Sequence, residues 1–217
     1  MAQKNLPASR SKQIDEFLAK STAARPRLIF ALDATASRQP TWDSACQLQA
    51  EMFVEAGKIG GLEIQVVYYR GDECKSFGWT TNARELADRM SRIVCMTGET
   101  QIGRILSHIR KEHAQRPVNA AVFIGDAMEE DHGRLCDAAA GLGVPLFLFQ
   151  EGDDREVEQA FREMARLTKG AYCKFTPGAA RELAELLRAV AAFAAGGLAA
   201  LADLHTDSAR KLLTQLK

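Results

Sequence analysis

Short apolar runs alternate with helical patterns from residue 27 onward, and this alternation is the feature that most constrains the fold. The runs are continuously apolar and rich in Val, Ile, Leu and Phe, which is typical of strands buried on both faces of a parallel sheet. The stretches between most of them have apolar residues at helical spacing. We therefore predict an α/β protein with a doubly wound, mostly parallel six-stranded sheet and helices on both faces.

The predicted elements follow this alternation along the chain. The six predicted strands cover residues 27–32, 62–70, 74–79, 118–124, 144–149 and 171–175. Predicted helices cover residues 42–58, 83–94, 135–142, 156–167 and 179–193, with one more after residue 100. The strand at 74–79 follows a Gly71-Asp72 turn, so we expect it to pair antiparallel with its predecessor at an edge of the sheet.

The alternating region forms one predicted domain with a short segment on either side. The domain covers residues 27–195, preceded by an N-terminal helical arm at 1–26 and followed by a C-terminal amphipathic helical tail at 196–217. The tail places several leucines on what could be one apolar face, which would pack on the domain or mediate self-association.

Composition excludes several classes of function. The chain has 217 residues with 28 basic and 28 acidic side chains, and this balance disfavours nucleic-acid binding. Five cysteines without a C-x-x-C pair indicate reduced thiols, and no secretion signal is recognisable, so we expect a cytoplasmic protein. The most apolar stretch, 189–202, is too short for a bilayer, so no membrane span is predicted.

Polar residues lie in three of the predicted loops, all at the edge of the sheet where ligands bind. Asp33, Thr35 and Ser37 follow the first strand at alternate positions, Thr100 precedes a helix, and Asp126 follows the strand at 118–124. Ligands of open α/β sheets bind at the carboxyl ends of the strands. Carboxylates and hydroxyls are hard oxygen donors, so the set suits Mg²⁺, Mn²⁺ or Ca²⁺.

These three fragments resemble a known metal site. Asp33-x-Thr35-x-Ser37, then Thr100 in GETQIGRIL and Asp126 in AVFIGDAMEE, resemble the metal-ion-dependent adhesion site (MIDAS) of von Willebrand factor type A (VWA) domains. The closing segment EMARLTKGAYCKF is similar to the final helix and strand of that family. The resemblance implies a VWA fold, with hydroxyl ligands from Thr35, Ser37 and Thr100, and with Asp33 and Asp126 acting directly or through metal-bound water.

The same resemblance implies a function in recognition. In VWA domains with this site, an acidic side chain of a partner protein completes the shell of a Mg²⁺ ion, and no bond is made or broken. We therefore expect a protein-binding module, not an enzyme, working in an intracellular bacterial complex, and we assign no catalytic residue.

Some residues of the chain depart from the family pattern. The usual Thr-Asp-Gly is replaced by Gly125-Asp126-Ala127, and Glu99 stands in place of a glycine beside Thr100. Glu99 and Glu129 are therefore possible modulators of the site, and the acidic run from Glu129 onward is otherwise typical of a solvated helix start.

Two other functions and one structural alternative compete with this interpretation. A Mg²⁺-dependent hydrolase or phosphotransferase would use a similar sheet, although the dehalogenase type requires a second aspartate where Thr35 stands. The second competing function is that of a metal-free structural module that associates through its leucine-rich tail. Structurally, Asp33, Thr35 or Thr100 could merely cap helices.

Overall fold

The computed structural model describes residues 25–38, 61–176 and 179–216. The predicted helix at 42–58 and most of the arm at 1–26 lie outside these residues. The described part of the chain contains six strands: β1 (Arg27–Asp33), β2 (Glu63–Arg70), β3 (Glu73–Ser76), β4 (Ala120–Gly125), β5 (Leu146–Glu151) and β6 (Ala171–Phe175).

The six strands form one sheet in the order β3-β2-β1-β4-β5-β6. All neighbouring pairs are parallel except β2 and β3, which pair antiparallel around the turn at Gly71. Strands β1, β4 and β5 are buried along their whole length, as expected for strands covered on both faces. The predicted fold class, a mostly parallel sheet with one antiparallel edge strand, is confirmed.

Six α-helices surround the sheet in the described part of the chain: α1 (Ala83–Met90), α2 (Ile102–Gln115), α3 (His132–Ala140), α4 (Arg155–Leu167), α5 (Ala180–Ala202) and α6 (Asp207–Leu213). One hydrophobic core lies between the sheet and α1, α5 and α6, and a second lies between the opposite face and α2, α3 and α4. Alternate side chains of each strand therefore enter different cores.

One helix ends well before its predicted position, and another is interrupted close to it. Helix α1 begins at Ala83, after Asn82, whose side chain accepts from the backbone N–H groups of Arg84 and Glu85, but it ends at Met90 and not near residue 94. The stretch α5 consists of two helical segments separated by non-helical backbone at Gly196 and Gly197, so the first segment ends close to the predicted end at 193 and the second continues to Ala202. Gly197 has a φ of +67°, a conformation that favours glycine.

The residues after this kink pack on the domain. Leu201, Leu212 and Leu216 are buried in the same core as α5, whereas Leu198 is 50% exposed. The side-chain amide of Gln215 pairs with both backbone groups of Tyr172 on strand β6, each bond measuring 3.0 Å. This amide therefore occupies hydrogen-bonding positions along the outer edge of the sheet.

Helix α5 is longer than the apolar stretch recognised in the sequence. Its residues Arg181–Ala202 are long and apolar enough to cross a membrane, judged by length and composition alone. The expectation of no membrane span rested on the shorter stretch at 189–202. In the structure Leu183, Leu186 and Val190 of this helix are buried against the sheet.

Candidate metal centre

The predicted site residues follow two adjacent strands at the centre of the sheet. The chain leaves β1 towards β2 on one side and later returns to β4 on the other side, so a topological switch point lies between β1 and β4. Asp33 is the last residue of β1, and Asp126 directly follows β4. Crevices of this kind, at the carboxyl ends of parallel strands, are where open α/β sheets bind ligands.

Asp33 is buried beneath the first loop and holds that loop in place. Its Oδ1 accepts a hydrogen bond from the Thr35 backbone N–H (2.8 Å), and its Oδ2 accepts one from the Tyr69 hydroxyl (2.9 Å). Tyr69 is the residue opposite Asp33 in the parallel β1–β2 register, which explains why the two side chains meet. Asp33 therefore organises the loop that carries the candidate hydroxyl ligands.

Burial also changes the acid–base properties of this pair. It raises the pKa of Asp33 to about 6, against hydrogen bonds from Thr35 and Tyr69 that lower it, and Asp126 nearby raises it further. The pKa of Tyr69 lies well above its ordinary value because of burial and then the charge of Asp33. The tyrosine hydroxyl consequently remains a hydrogen-bond donor at neutral pH.

Thr35 and Ser37 bring two hydroxyls to one point. Their oxygens are 3.1 Å apart, and the intervening chain forms a one-turn 3₁₀ helix (Ala36–Arg38). The backbone N–H of Met96 donates to the carbonyl of Ala34 (3.1 Å), so the segment leading to Thr100 runs beside this loop. The first two loops of the predicted site are thus in direct contact.

Two hydrogen bonds to Glu129 attach Thr100 to the third loop, which follows β4. The Thr100 backbone N–H donates to the Glu129 carboxylate (2.6 Å), and the Thr100 Oγ1 accepts from the Glu129 backbone N–H (2.9 Å). The alternative that Thr100 merely caps helix α2 is wrong, because the Glu130 carboxylate instead accepts from the first backbone groups, Ile102 N–H and Gly103 N–H.

The acidic run after Asp126 is therefore more than a solvated helix start. Glu129 bonds to Thr100, Glu130 caps helix α2, and Asp131 caps helix α3 by accepting from the Arg134 backbone N–H. These contacts bind the second and third loops together without metal.

Four of the five predicted ligands line one pocket of about 250 Å³: Thr35, Ser37, Thr100 and Asp126. Asp33 is not among the lining residues, and its carboxylate accepts a hydrogen bond from the backbone of one of them, Thr35. Glu129 also lines the pocket, whereas Glu99 is exposed and lines an adjoining cavity of about 470 Å³. The structure thus groups Glu129, but not Glu99, with the candidate ligands.

The donor set fits a hard divalent cation. Asp126 Oδ1 is buried and has no hydrogen-bond partner among the described residues, so a polar atom in the pocket wall lacks a partner that an ion or water would supply. The remaining donors are hydroxyl oxygens, which Mg²⁺ and Mn²⁺ accept. Among the described residues no three His, Cys, Asp or Glu gather as a metal site, and the candidate set depends on hydroxyls instead.

Two glycines shape the pocket. A Cβ on Gly98 would lie 2.4 Å from the Gly71 Cα, so the loop before Thr100 touches the β2–β3 turn backbone to backbone. A Cβ on Gly125 would lie 2.9 Å from the Phe123 ring. This crowding gives a physical reason for glycine at 125, where VWA domains usually have threonine.

Sequence reasoning missed three residues around the site. Tyr69 lies near the end of the predicted strand at 62–70, where a tyrosine is usually a packing residue, although its position opposite the end of β1 is a usable signal. Glu130 was recognised only as part of an acidic run. Arg38 carried no signal at all, because nothing in a sequence shows that an arginine after D-x-T-x-S will be buried.

The topology and the three-loop edge define the class of fold, which is that of VWA domains. BatB from Bacteroides thetaiotaomicron aligns with a TM-score of 0.57 and 19% identity, over 74% of this chain and 96% of BatB. The vWF domain of the type V pili tip protein Mfa5 from Porphyromonas gingivalis gives 0.60 and 10%, over 78% and 95%.

The SpRpn10 VWA domain is a further structural neighbour, with a TM-score of 0.54 and 10% identity over 71% of this chain and 90% of that one. At these identities the likeness shows the fold alone. No protein-family model and no curated protein sequence matches the chain.

Proposed function

We propose that the chain is a divalent-metal-dependent protein-binding module whose MIDAS-type site is formed by Asp33, Thr35, Ser37, Thr100 and Asp126. The observation that carries the proposal is the pocket in which Asp126 Oδ1, buried and without a partner among the described residues, shares a wall with three hydroxyls. Mg²⁺ is the proposed ion, with Mn²⁺ or Ca²⁺ as substitutes.

The chain's own residues have separate roles in this proposal. Thr35, Ser37 and Thr100 present neutral oxygens, and Asp126 presents a carboxylate. Asp33 fixes the first loop through Thr35 and Tyr69, and Glu129 fixes Thr100. A bound ion would supply a positive charge with an open position for an acidic side chain of a partner protein.

Recognition, not catalysis, is the proposed role of this pocket. Of the lining groups that could act as a base or nucleophile, the Glu129 carboxylate accepts from the Thr100 backbone N–H and the Ser37 hydroxyl is hydrogen-bonded to that of Thr35, which suits roles in holding the site. We also propose a cytoplasmic location within a bacterial complex. The four described cysteines are free, in agreement with a reducing compartment.

Calorimetric titration of Mn²⁺ and Mg²⁺ into EDTA-treated protein tests the proposal. We expect one ion per chain for the wild type, and a loss of affinity of at least about a hundredfold for Asp126→Asn, whose amide replaces a charged ligand. Asp131→Asn is the matched control, because Asp131 lies in the same acidic run but caps a helix, and asparagine caps equally well.

Two results would contradict the proposal: a wild type that binds neither ion at millimolar concentration, or an Asp126→Asn variant that binds as tightly as the control. Circular dichroism of every variant establishes that each is folded. Partner capture with and without EDTA then tests whether the interaction needs the ion.

A further inference from the structure

A buried arginine lies next to the candidate metal site. Arg38 ends the 3₁₀ turn that carries Ser37, and its backbone N–H donates to the Thr35 carbonyl (3.1 Å). Its side chain is 1% exposed and is the largest of the fully buried side chains in the described residues. Because arginine does not lose its proton in proteins, a full positive charge is fixed inside the molecule at this point.

The surroundings of Arg38 link it to the site carboxylates. It forms an ion pair with Glu151, a buried residue at the end of β5. Arg38 Nε has no hydrogen-bond partner among the described residues, so the guanidinium is not fully satisfied by that pair. Burial lowers the pKa of Arg38, and the charges of Asp126 and then Asp33 are the strongest influences raising it.

We propose that Arg38 is a fixed counter-cation of the candidate metal site and that it weakens the binding of a divalent ion there. The inference rests on the proposed function, because it concerns the affinity of that same site. A guanidinium attracted to Asp126 and Asp33 repels a cation held by Asp126 and the neighbouring hydroxyls. The negative charge of Glu151 offsets part of this repulsion. The closer its ion pair with Arg38, the smaller the net repulsion that a metal ion experiences.

A weakened site has a consequence for partner binding. With Arg38 in place, the residues of this chain alone hold the ion poorly, and an additional carboxylate from a partner restores the missing negative charge. Ion and acidic partner therefore bind with positive cooperativity, each raising the affinity for the other by the same factor. The free protein would therefore bind its ion weakly, and the complex with the partner would bind it tightly.

Two variants isolate the charge of Arg38. Glu151→Gln leaves the guanidinium without its counter-charge, and the double variant Arg38→Met, Glu151→Gln removes the guanidinium on the same background. The two proteins differ only at position 38. Glu151→Gln leaves a buried guanidinium without its counter-charge, a change that itself destabilises the fold, so both variants must be shown to be folded before their affinities are compared. Mn²⁺ is titrated into both by calorimetry after EDTA treatment, with thermal melts in EDTA as the folding control.

We expect the double variant to bind Mn²⁺ at least about tenfold more tightly than Glu151→Gln, because a buried unit charge next to a lining residue, Ser37, acts on a divalent ion with little screening by water. A purely structural role for Arg38 predicts the opposite order, since its loss would loosen the loop that carries Thr35 and Ser37. Arg38→Met on the wild-type background gives a second comparison, and we expect its affinity to exceed that of the wild type.

The outcomes separate this inference from the proposed function. Equal affinities of the two variants, or tighter binding by Glu151→Gln, overturn the role of Arg38 while a wild type that binds Mn²⁺ keeps the metal-dependent function. Folded proteins that all fail to bind Mn²⁺, the double variant included, overturn both.

Discussion

At the scale of single residues, Asp33 unites the structural and the electrostatic features of the site. Its carboxylate accepts hydrogen bonds from Thr35 and Tyr69 while being shielded from solvent, and burial raises its pKa to about 6. A buried carboxylate held by neutral donors is poorly stabilised when charged. A nearby cation would relieve this cost, which is consistent with the proposed ion.

The raised pKa predicts how stability depends on pH without metal. The folded protein keeps this proton up to about pH 6, whereas the unfolded chain releases it near the ordinary value of 3.8. Raising the pH between these values therefore favours unfolding, by up to about 3 kcal/mol from this group. Urea unfolding in EDTA at pH 5 and pH 7 measures the difference.

Asp33→Asn is the control for this prediction, since its amide does not titrate and still accepts a hydrogen bond. We expect the fall in unfolding free energy between pH 5 and pH 7 to be smaller in this variant by about 1 kcal/mol, because a large part of the full change takes place below pH 5. An identical fall in both proteins would show that Asp33 titrates normally in the fold.

The candidate oxygen ligands could be recognised in the sequence, but the buried residues that hold their loops in place could not. Thr35 and Ser37 alternate in a short loop, so their convergence follows from the backbone, and the structure places their hydroxyls 3.1 Å apart. Arg38 and Glu151 could not be paired from the sequence, because their contact depends on how the first loop lies over the end of β5. Tyr69 required the strand register to be known.

At the scale of elements, the outer edge of strand β6 is occupied by a side chain. Gln215, just after helix α6, accepts from the Tyr172 N–H and donates to the Tyr172 carbonyl. Unpaired edge strands are sites of association between chains, and proteins usually cover them. The tail after α5 thereby protects part of the sheet as well as filling its core.

Replacing this amide should weaken the fold measurably. We expect Gln215→Ala to lower the free energy of unfolding by about 1–2 kcal/mol, since two hydrogen bonds to an edge strand are lost. Gln115→Ala, an exposed residue at the end of helix α2, is the matched control. Urea denaturation of both variants tests this, and equal stabilities would contradict a role for Gln215 at the edge.

Most elements could be predicted because each carries its own periodicity. The apolar runs gave every strand within a few residues, and Asn82 marked the start of α1. The first segment of α5 also ends near its predicted position, because the backbone at the Gly196-Gly197 pair is not helical. The surface that covers the leucines of the tail could not be predicted, since an amphipathic pattern does not identify what packs against it.

At the scale of the whole molecule, the sheet order explains why the site lies where it does. Strand β1 is central, with β2 and β4 on its two sides, so loops distant in sequence meet at one edge. The neutral net charge conceals the local arrangement at this edge: Asp126 and Glu129 line the pocket, Asp33 is buried beneath the first loop, and Arg38 pairs with Glu151 beside Ser37. Self-association through the tail remains a proposal that rests on Leu198, its half-exposed leucine.

The proposed function requires this edge to bind one divalent cation, which anomalous diffraction from crystals soaked in Mn²⁺ would reveal. We expect a single manganese peak in the pocket lined by Thr35, Ser37, Thr100 and Asp126, and no such peak in crystals of Asp126→Asn. A pocket without manganese in the wild type at millimolar Mn²⁺, or manganese bound only elsewhere on the chain, would contradict it.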